Sequence, residues 1–155
     1  REQLSAEELA SGLNRAVHDG GSGLAGVHGG MGDAFRGRVE YQWMVGGQFL
    51  GHPHVGEYTV EVLPSDSPIT RDMPRRFVYK SEQYYLGIDP GITVLASTAY
   101  AYEGRACSMP VVWTKTWGKG RVFYSALGHV AAEFRTCPAV LEMTVRGMLW
   151  AARAG

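Results

Sequence analysis

The spacing of apolar residues near the start of the chain is that of a helix. Leu9, Leu13 and Val17 recur at helical intervals, and Ser5 followed by Glu8 forms a capping box. Gly20-Gly21 predicts the end of this helix. The next apolar segment, residues 22–27, is short and does not alternate with polar residues, so it predicts a buried parallel strand.

The remaining pattern predicts further strands and a final helix. Residues 39–45 predict a short helix, and the glycine-rich residues 46–53 predict a loop. Strands are predicted at residues 57–63, 76–80 and 92–97, a hairpin at 110–115 and 121–126, and an amphipathic helix at 139–152. Early alternation of helix and strand, with a late hairpin, predicts one α/β domain with a mainly parallel sheet and an antiparallel edge hairpin.

Composition excludes several classes of protein. The chain has 155 residues, 45% of them hydrophobic, and equal numbers (15 each) of basic and acidic residues, which indicates one folded domain. No basic run suggests nucleic acid or an anionic membrane as a partner, and no apolar window is long enough to span a bilayer. The polar N-terminus is unlike a signal peptide, and the two cysteines fit no metal spacing, so we expect a cytoplasmic location.

The segment Gly26-Val27-His28-Gly29-Gly30 carries the strongest chemical signal. A strand followed by a polar residue between small neighbours has the layout of a nucleophile elbow, in which a tight turn displays one side chain. The displayed residue is His28, which is a poor acyl nucleophile but a good general acid or base and a good metal ligand. A glutamine amidotransferase would need a cysteine there, so that activity is not expected.

Three further residues complete the predicted site. His52 lies in the glycine-rich segment, Glu82 follows a strand, and His129 follows the apolar run 122–127 across Gly128. His28 and His129 both come at the carboxyl end of a strand, where open α/β sheets bind ligands, so they can converge. We predict His28, His129 and Glu82 as catalytic. The predicted substrate-binding residues are His52, Gln83, Tyr84, Gly29, Gly47 and Trp113.

The residue types leave two chemistries open. Three histidines and a glutamate (His28, His52, Glu82 and His129) suffice for a zinc-like divalent metal ion. They are dispersed in sequence, however, and form no recognised metal-binding motif. A metal-free pocket in which imidazoles act as acid and base therefore carries equal weight.

A series of motifs resembles the trehalose-utilisation (ThuA-like) family, which belongs to the class I glutamine-amidotransferase-like superfamily. The matching stretches are residues 26–30, 46–53 (Gly-Gly-Gln-Phe-Leu-Gly-His-Pro), 67–70, 81–85 (Ser-Glu-Gln-Tyr-Tyr), 110–114, and 118–124 running into Gly128-His129. The resemblance implies a flavodoxin-like three-layer sandwich. It also marks two departures: the usual N-terminal βαβ portion is not in this sequence, and Val130 stands where the family usually has an aspartate.

The resemblance also implies a function. It suggests a protein of sugar catabolism that acts on an oxidised (keto) disaccharide or glycoside, as an isomerase, lyase or hydrolase. The alternative is a non-catalytic module that binds a sugar or assembles with a protein. The expected partners are a small carbohydrate and, because absent strands would leave a sheet edge open, further copies of the chain.

Overall fold

A computed structural model describes residues 4–153, which form five helices and six strands. The first helix begins as predicted, because Ser5 accepts from the Glu8 backbone and the Glu8 carboxylate accepts from the Ser5 backbone. The helices are α1 (Ala6–His18), α2 (His28–Gly32), α3 (Val39–Val45), α4 (Glu133–Thr136) and α5 (Pro138–Ala151). The strands are β1 (Leu24–Val27), β2 (Gly47–Val62), β3 (Arg76–Ile88), β4 (Thr93–Tyr102), β5 (Arg105–Trp117) and β6 (Gly120–Ser125).

The sheet is mixed and mainly antiparallel, in the order β1-β6-β5-β4-β2-β3. Among the strands of residues 4–153, only β1 and β6 pair in parallel; the pairs β2–β3, β2–β4, β4–β5 and β5–β6 are antiparallel. The prediction of a flavodoxin-like sandwich with a mainly parallel sheet was therefore wrong. Parallel neighbours need crossover helices, and residues 47–125 contain none. The late hairpin does form as β5 and β6, but it lies inside the sheet.

The glycine-rich residues 46–53 were wrongly predicted as a loop. From Gly47 onward they begin β2, whose pairing with β3 shifts register between Phe49 and Gly51 and again between Gly51 and His54. Gly47 fits this strand because a Cβ there would lie 2.8 Å from the Gly87 carbonyl oxygen and 3.0 Å from the Trp113 ring. Glycine here permits close strand packing and bulges, which is its second common use besides turns.

Helices cover both faces of β6, and the core lies there. Phe123 packs against Gly147 of α5 on one face, and Tyr124 packs against Gly32 of α2 on the other. Both aromatic side chains are fully buried, as is Trp113 on β5. In the described part of the chain, no helix is long and apolar enough to cross a bilayer. The packing around β6 fixes the ends of β1 and β6, from which two of the predicted histidines project.

Candidate active site around Glu82

The parallel pairing of β1 with β6 brings two predicted histidines together. Val27 lies opposite Ser125 at the carboxyl ends of these strands. His28 follows Val27 directly, while Leu127 and Gly128 lead from β6 to His129. The two imidazole rings lie with their centroids 4.7 Å apart. The convergence expected from strand ends therefore occurs, although most of the sheet is antiparallel.

His28 occupies an unusual backbone conformation at the start of α2. Its φ angle is +49°, in the left-handed region that residues other than glycine seldom adopt. The turn is tight: a Cβ on Gly26 would lie 2.6 Å from the Met31 side chain, and Tyr124 Oη donates to the His28 carbonyl at 3.2 Å. The structure thus has the strained strand-to-helix geometry of a nucleophile elbow, with an imidazole displayed.

The His28 ring is buried and held by one tyrosine. Its Nδ1 lies 2.7 Å from Tyr84 Oη, and only 7% of the residue is exposed. Burial, reinforced by the neighbouring His129, lowers the pKa of His28 from 6.5 to about 4, although the charge of Glu82 acts in the opposite direction. Burial also raises the pKa of Tyr84, with a further rise from Glu82, so its hydroxyl keeps its proton. His28 is therefore neutral at physiological pH.

This contact favours one tautomer of His28. Within residues 4–153, Nδ1 of His28 is the only hydrogen-bond partner of the Tyr84 hydroxyl, so the hydroxyl proton is best placed on Nδ1. The ring proton then lies on Nε2, which faces Glu82 Oε2 at 3.5 Å. That separation is too long for a good hydrogen bond, and Nε2 is buried without a partner among these residues.

Glu82 is the centre of the site. Its carboxylate lies 3.5 Å from His28 Nε2, 3.7 Å from His129 Nδ1 and 3.8 Å from His52 Nε2. The His52 and His129 side chains are nearly half exposed, whereas that of Glu82 is 21% exposed. One carboxylate thus faces three imidazoles: buried His28 and half-exposed His129 at Oε2, and half-exposed His52 at Oε1.

A second carboxylate, Glu133 at the start of α4, holds the His129 turn. Its Oε2 accepts from the His129 backbone N–H at 2.8 Å and from the Tyr79 hydroxyl, and its Oε1 accepts from Ser81 Oγ at 2.9 Å. Tyr79 Oη in turn accepts from the Gly128 N–H at 2.8 Å. The turn is therefore fastened to β3, the strand that carries Glu82. Glu133 was not predicted from the sequence; the available signal was the pair of hydroxyls on Tyr79, in the strand predicted at residues 76–80, and Ser81, directly after it.

The donor set fits a divalent metal ion. His28, Glu82 and His129 each offer one ligand atom, and these atoms lie within 4.8 Å of one another. The buried Nε2 of His28 lacks a partner among the described residues, and it can coordinate a metal in the other neutral tautomer, in which Nδ1 carries the proton and donates to Tyr84 Oη. His52 lies close enough to Glu82 to extend this set.

Comparison with known proteins identifies the family of the chain. The family model described as ThuA, trehalose utilisation, matches residues 1–151. The chain belongs to this family. Among curated protein sequences, none matches the chain.

Solved structures share the fold of this family member. A protein described as ThuA-like from Parabacteroides merdae ATCC 43184 superposes with a TM-score of 0.78 at 19% identity, over 97% of this chain and 67% of that one. One from Bacteroides uniformis ATCC 8492 gives 0.73 at 19% identity, over 94% and 64%. A cytoplasmic protein from Salmonella typhimurium LT2 gives 0.56 at 14% identity, over 94% and 59%. The chain spans about two thirds of the length of the two ThuA-like structures.

The other predicted substrate-binding residues of this ThuA-family chain divide into two groups. Gly29 and Tyr84 lie at the cluster: a Cβ on Gly29 would be 3.2 Å from Tyr84 Oη. Gln83 points elsewhere, donating to Thr98 Oγ1 and the Ala99 carbonyl on β4. Trp113 is fully buried and donates to the Val45 carbonyl at 2.8 Å, and Gly47 packs against its ring. The structure therefore places Gln83, Trp113 and Gly47 against backbone or core, and their predicted roles stay predictions.

Proposed function

We propose that this protein is an enzyme that cleaves an oxidised (keto) disaccharide or glycoside of the trehalose type, with Glu82 as the base. The trehalose-utilisation description of the family supports the substrate class. The observation that carries the chemistry is the arrangement at Glu82, where one carboxylate faces three imidazoles at 3.5 to 3.8 Å. Such a set supplies a base, an acid and a group that orients the base.

In the proposed substrate the ketone lies two carbons from the glycosidic carbon, and this position makes the proton on the carbon between them acidic. Glu82 takes the proton from the carbon between them, and the C–H electron pair forms a C=C bond. The bond from the glycosidic carbon to the leaving oxygen breaks, and the imidazolium of His129 gives that oxygen a proton. Water then adds to the double bond: His129 takes the water's proton, hydroxyl joins the glycosidic carbon, and Glu82 returns its proton to the neighbouring carbon. The net reaction is hydrolysis.

His28 positions Glu82 in this proposal. Its Nε2–H faces Glu82 Oε2 from the buried side, and Tyr84 fixes the ring. Because the pKa of His28 is lowered to about 4, it stays neutral and does not neutralise the carboxylate by forming an ion pair. A carboxylate that faces neutral His28 instead of a second imidazolium keeps more of its basicity, which the abstraction of a carbon-bound proton requires.

A divalent metal ion at His28, Glu82 and His129 is the second candidate, favoured by the unpartnered Nε2 of His28. A bound ion would polarise the substrate carbonyl as a Lewis acid. Metal content of purified protein, measured by inductively coupled plasma mass spectrometry for wild type and His28→Ala, decides this candidate. Near-stoichiometric metal that is lost in the variant supports it, and metal-free wild-type protein with full activity contradicts it.

Turnover of keto-trehalose, followed as release of glucose, tests the proposed function. Wild type should release glucose, and Glu82→Gln should be slower by about 100-fold or more because the amide cannot accept the proton. Glu57→Gln, an exposed glutamate on β2, is the matched control and should behave as wild type. Wild-type protein that binds the sugar without turnover would instead identify a non-catalytic binding module.

A further inference from the structure

A cavity of about 710 Å³ lies beside the Glu82 cluster. Its walls are the irregular start of β2, one residue of β3 and the end of the β4–β5 hairpin. We call it the tyrosine cavity; it is defined by Leu50, His52, Tyr85, Tyr100, Tyr102 and Arg105. The rings of Tyr85 and Tyr100 are 5.1 Å apart, and Tyr102 is 68% exposed. Its volume is within the range of small-molecule sites.

The cavity shares one residue, His52, with the candidate active site. This residue lines the cavity, and its Nε2 lies 3.8 Å from Glu82 Oε1. Tyr85 of β3 lines the cavity as well, and the residue before it, Tyr84, holds His28. A molecule in the cavity would therefore contact His52, the residue that also faces the Glu82 carboxylate.

We propose that the tyrosine cavity binds the leaving-group ring of a glycoside whose reacting ring lies at Glu82. This proposal rests on the proposed function and adds a binding site for the part of the substrate that is released. Tyrosine rings present flat apolar faces to the C–H groups of a sugar or to an aromatic ring, with a hydroxyl at the edge. The guanidinium of Arg105 adds donors for hydroxyl groups.

The cleft arrangement distinguishes this surface from scattered exposed apolar residues. Tyr85, Tyr102 and Leu50 are 39%, 68% and 58% exposed, yet they converge on one concave site that reaches a titratable cluster. Isolated exposed side chains need no explanation, whereas a contiguous apolar patch marks a binding surface. A ligand with a single small substituent instead of a ring would leave these tyrosines uncovered.

Cys107 supplies a direct reporter of occupancy. It is exposed and lines the cavity. Cys137, directly before α5, is half buried and is not part of the cavity wall, so it serves as the internal control. We would alkylate the protein with iodoacetamide and measure the rate at each cysteine by peptide mass spectrometry. The probes are 4-nitrophenyl α-glucopyranoside, which carries a ring as leaving group, and methyl α-glucopyranoside, which does not.

The expected result is protection of Cys107, but not Cys137, by the nitrophenyl glucoside. Half-protection should need about tenfold more methyl glucoside. Tyr100→Ala should weaken protection by about tenfold. Tyr102→Ala should do the same, and because the Tyr102 ring is 68% exposed its removal should leave the folded core intact. Trp43→Ala, which truncates an exposed aromatic elsewhere, is the control and should change nothing.

Equal protection by the two glucosides, or none, would overturn the cavity proposal. So would an oligomer that dissociates in Tyr102→Ala without any change in protection, because the cavity would then be an interface between protein chains. The readout is independent of turnover: Glu82→Gln should still show protection. If keto-trehalose is not cleaved but Cys107 is protected, the proposed function fails while the binding site stands.

Discussion

The hydroxyl of Tyr84 lies 2.7 Å from Nδ1 of His28, and this contact decides which ring nitrogen faces Glu82. With the hydroxyl donating to Nδ1, Nε2 carries the proton and points it toward the Glu82 carboxylate, whose Oε2 lies 3.5 Å away. With the opposite tautomer, a bare lone pair faces the carboxylate, which is favourable only with a cation between them. The direction of the Tyr84–His28 hydrogen bond thus determines whether Nε2 is a donor, as in the acid–base mechanism, or a metal ligand.

Removing that hydroxyl should impair activity more than folding. In Tyr84→Phe the ring is kept but His28 loses its partner, so kcat for keto-trehalose should fall about tenfold or more. The free energy of unfolding should fall by only about 1 kcal/mol. Tyr41→Phe is the matched control, because it loses a comparable buried bond, to the Met31 carbonyl at 3.0 Å, away from Glu82. Equal kcat losses in the two variants would contradict the assigned role of Tyr84.

Stability should depend on pH through His28. Its pKa is about 4 in the folded protein and 6.5 when unfolded, so between these values the unfolded chain binds more protons. The contribution of neutral His28 to the free energy of unfolding is therefore fully present above pH 6.5. It is lost as the pH falls toward 4, by at most about 3 kcal/mol.

Urea unfolding of metal-free protein at several pH values measures this decline. His28→Asn should show a smaller decline, since asparagine tolerates the positive φ and does not titrate. His54→Asn, an exposed histidine on β2, should keep the wild-type profile. A wild-type profile that stays flat across this range would show that His28 is not buried in the neutral form.

Glu133 should act as a positioning residue for His129. In Glu133→Gln the amide cannot accept from Tyr79, Ser81 and the His129 backbone together, so the turn should loosen. We expect kcat to fall about tenfold with KM little changed, and unfolding free energy to fall by about 1–3 kcal/mol. The NMR signals of the His129 ring should shift as well.

Glu142→Gln is the control for charge loss, because Glu142 is exposed on α5 and pairs with Arg146 of the same helix. Unchanged His129 signals in Glu133→Gln, together with unchanged kcat, would reduce Glu133 to a purely structural role.

Two neighbouring glycines of α2 offer a steric test. A methyl group on Gly29 would lie 3.2 Å from Tyr84 Oη, whereas one on Gly30 would meet nothing within 4 Å. Gly29→Ala should push Tyr84 from His28 and lower kcat several-fold, with up to about 1 kcal/mol lost in stability. Gly30→Ala should match wild type. An equal loss of kcat in both variants would mean that the substitutions act by distorting helix α2 and not through the Tyr84 contact.

The sequence predicted which residues meet at the candidate site better than it predicted how the strands pair in the sheet. The strand that ends at Val27 and the apolar run before Gly128 both showed that a histidine follows a strand end, and these strands do pair in parallel. Glu82 was recognisable as a carboxylate beside a predicted strand, and His52 by its glycine-rich surroundings. Their convergence depended on β3 returning toward β1, which no local spacing could show.

The errors have local causes. Glycines in residues 46–53 were interpreted as a loop, but Gly47 is needed so that β2 can approach Gly87 and Trp113. Once this segment is strand, β2 and β3 form a long antiparallel pair, and the parallel interpretation fails. Glu133 was missed for two reasons. Two of its donors, Tyr79 and Ser81, are more than 50 residues away in the sequence, and the third is the backbone N–H of His129, which has no sequence signature.

The central claim is that Glu82 removes a proton from the carbon beside the substrate ketone. Incubation of keto-trehalose with the protein in deuterium oxide, followed by proton NMR of that carbon position, measures this step without requiring cleavage. Wild type and Glu57→Gln should incorporate deuterium, whereas Glu82→Gln should be slower by about 100-fold or more. Deuterium incorporation by Glu82→Gln at the wild-type rate would contradict the account.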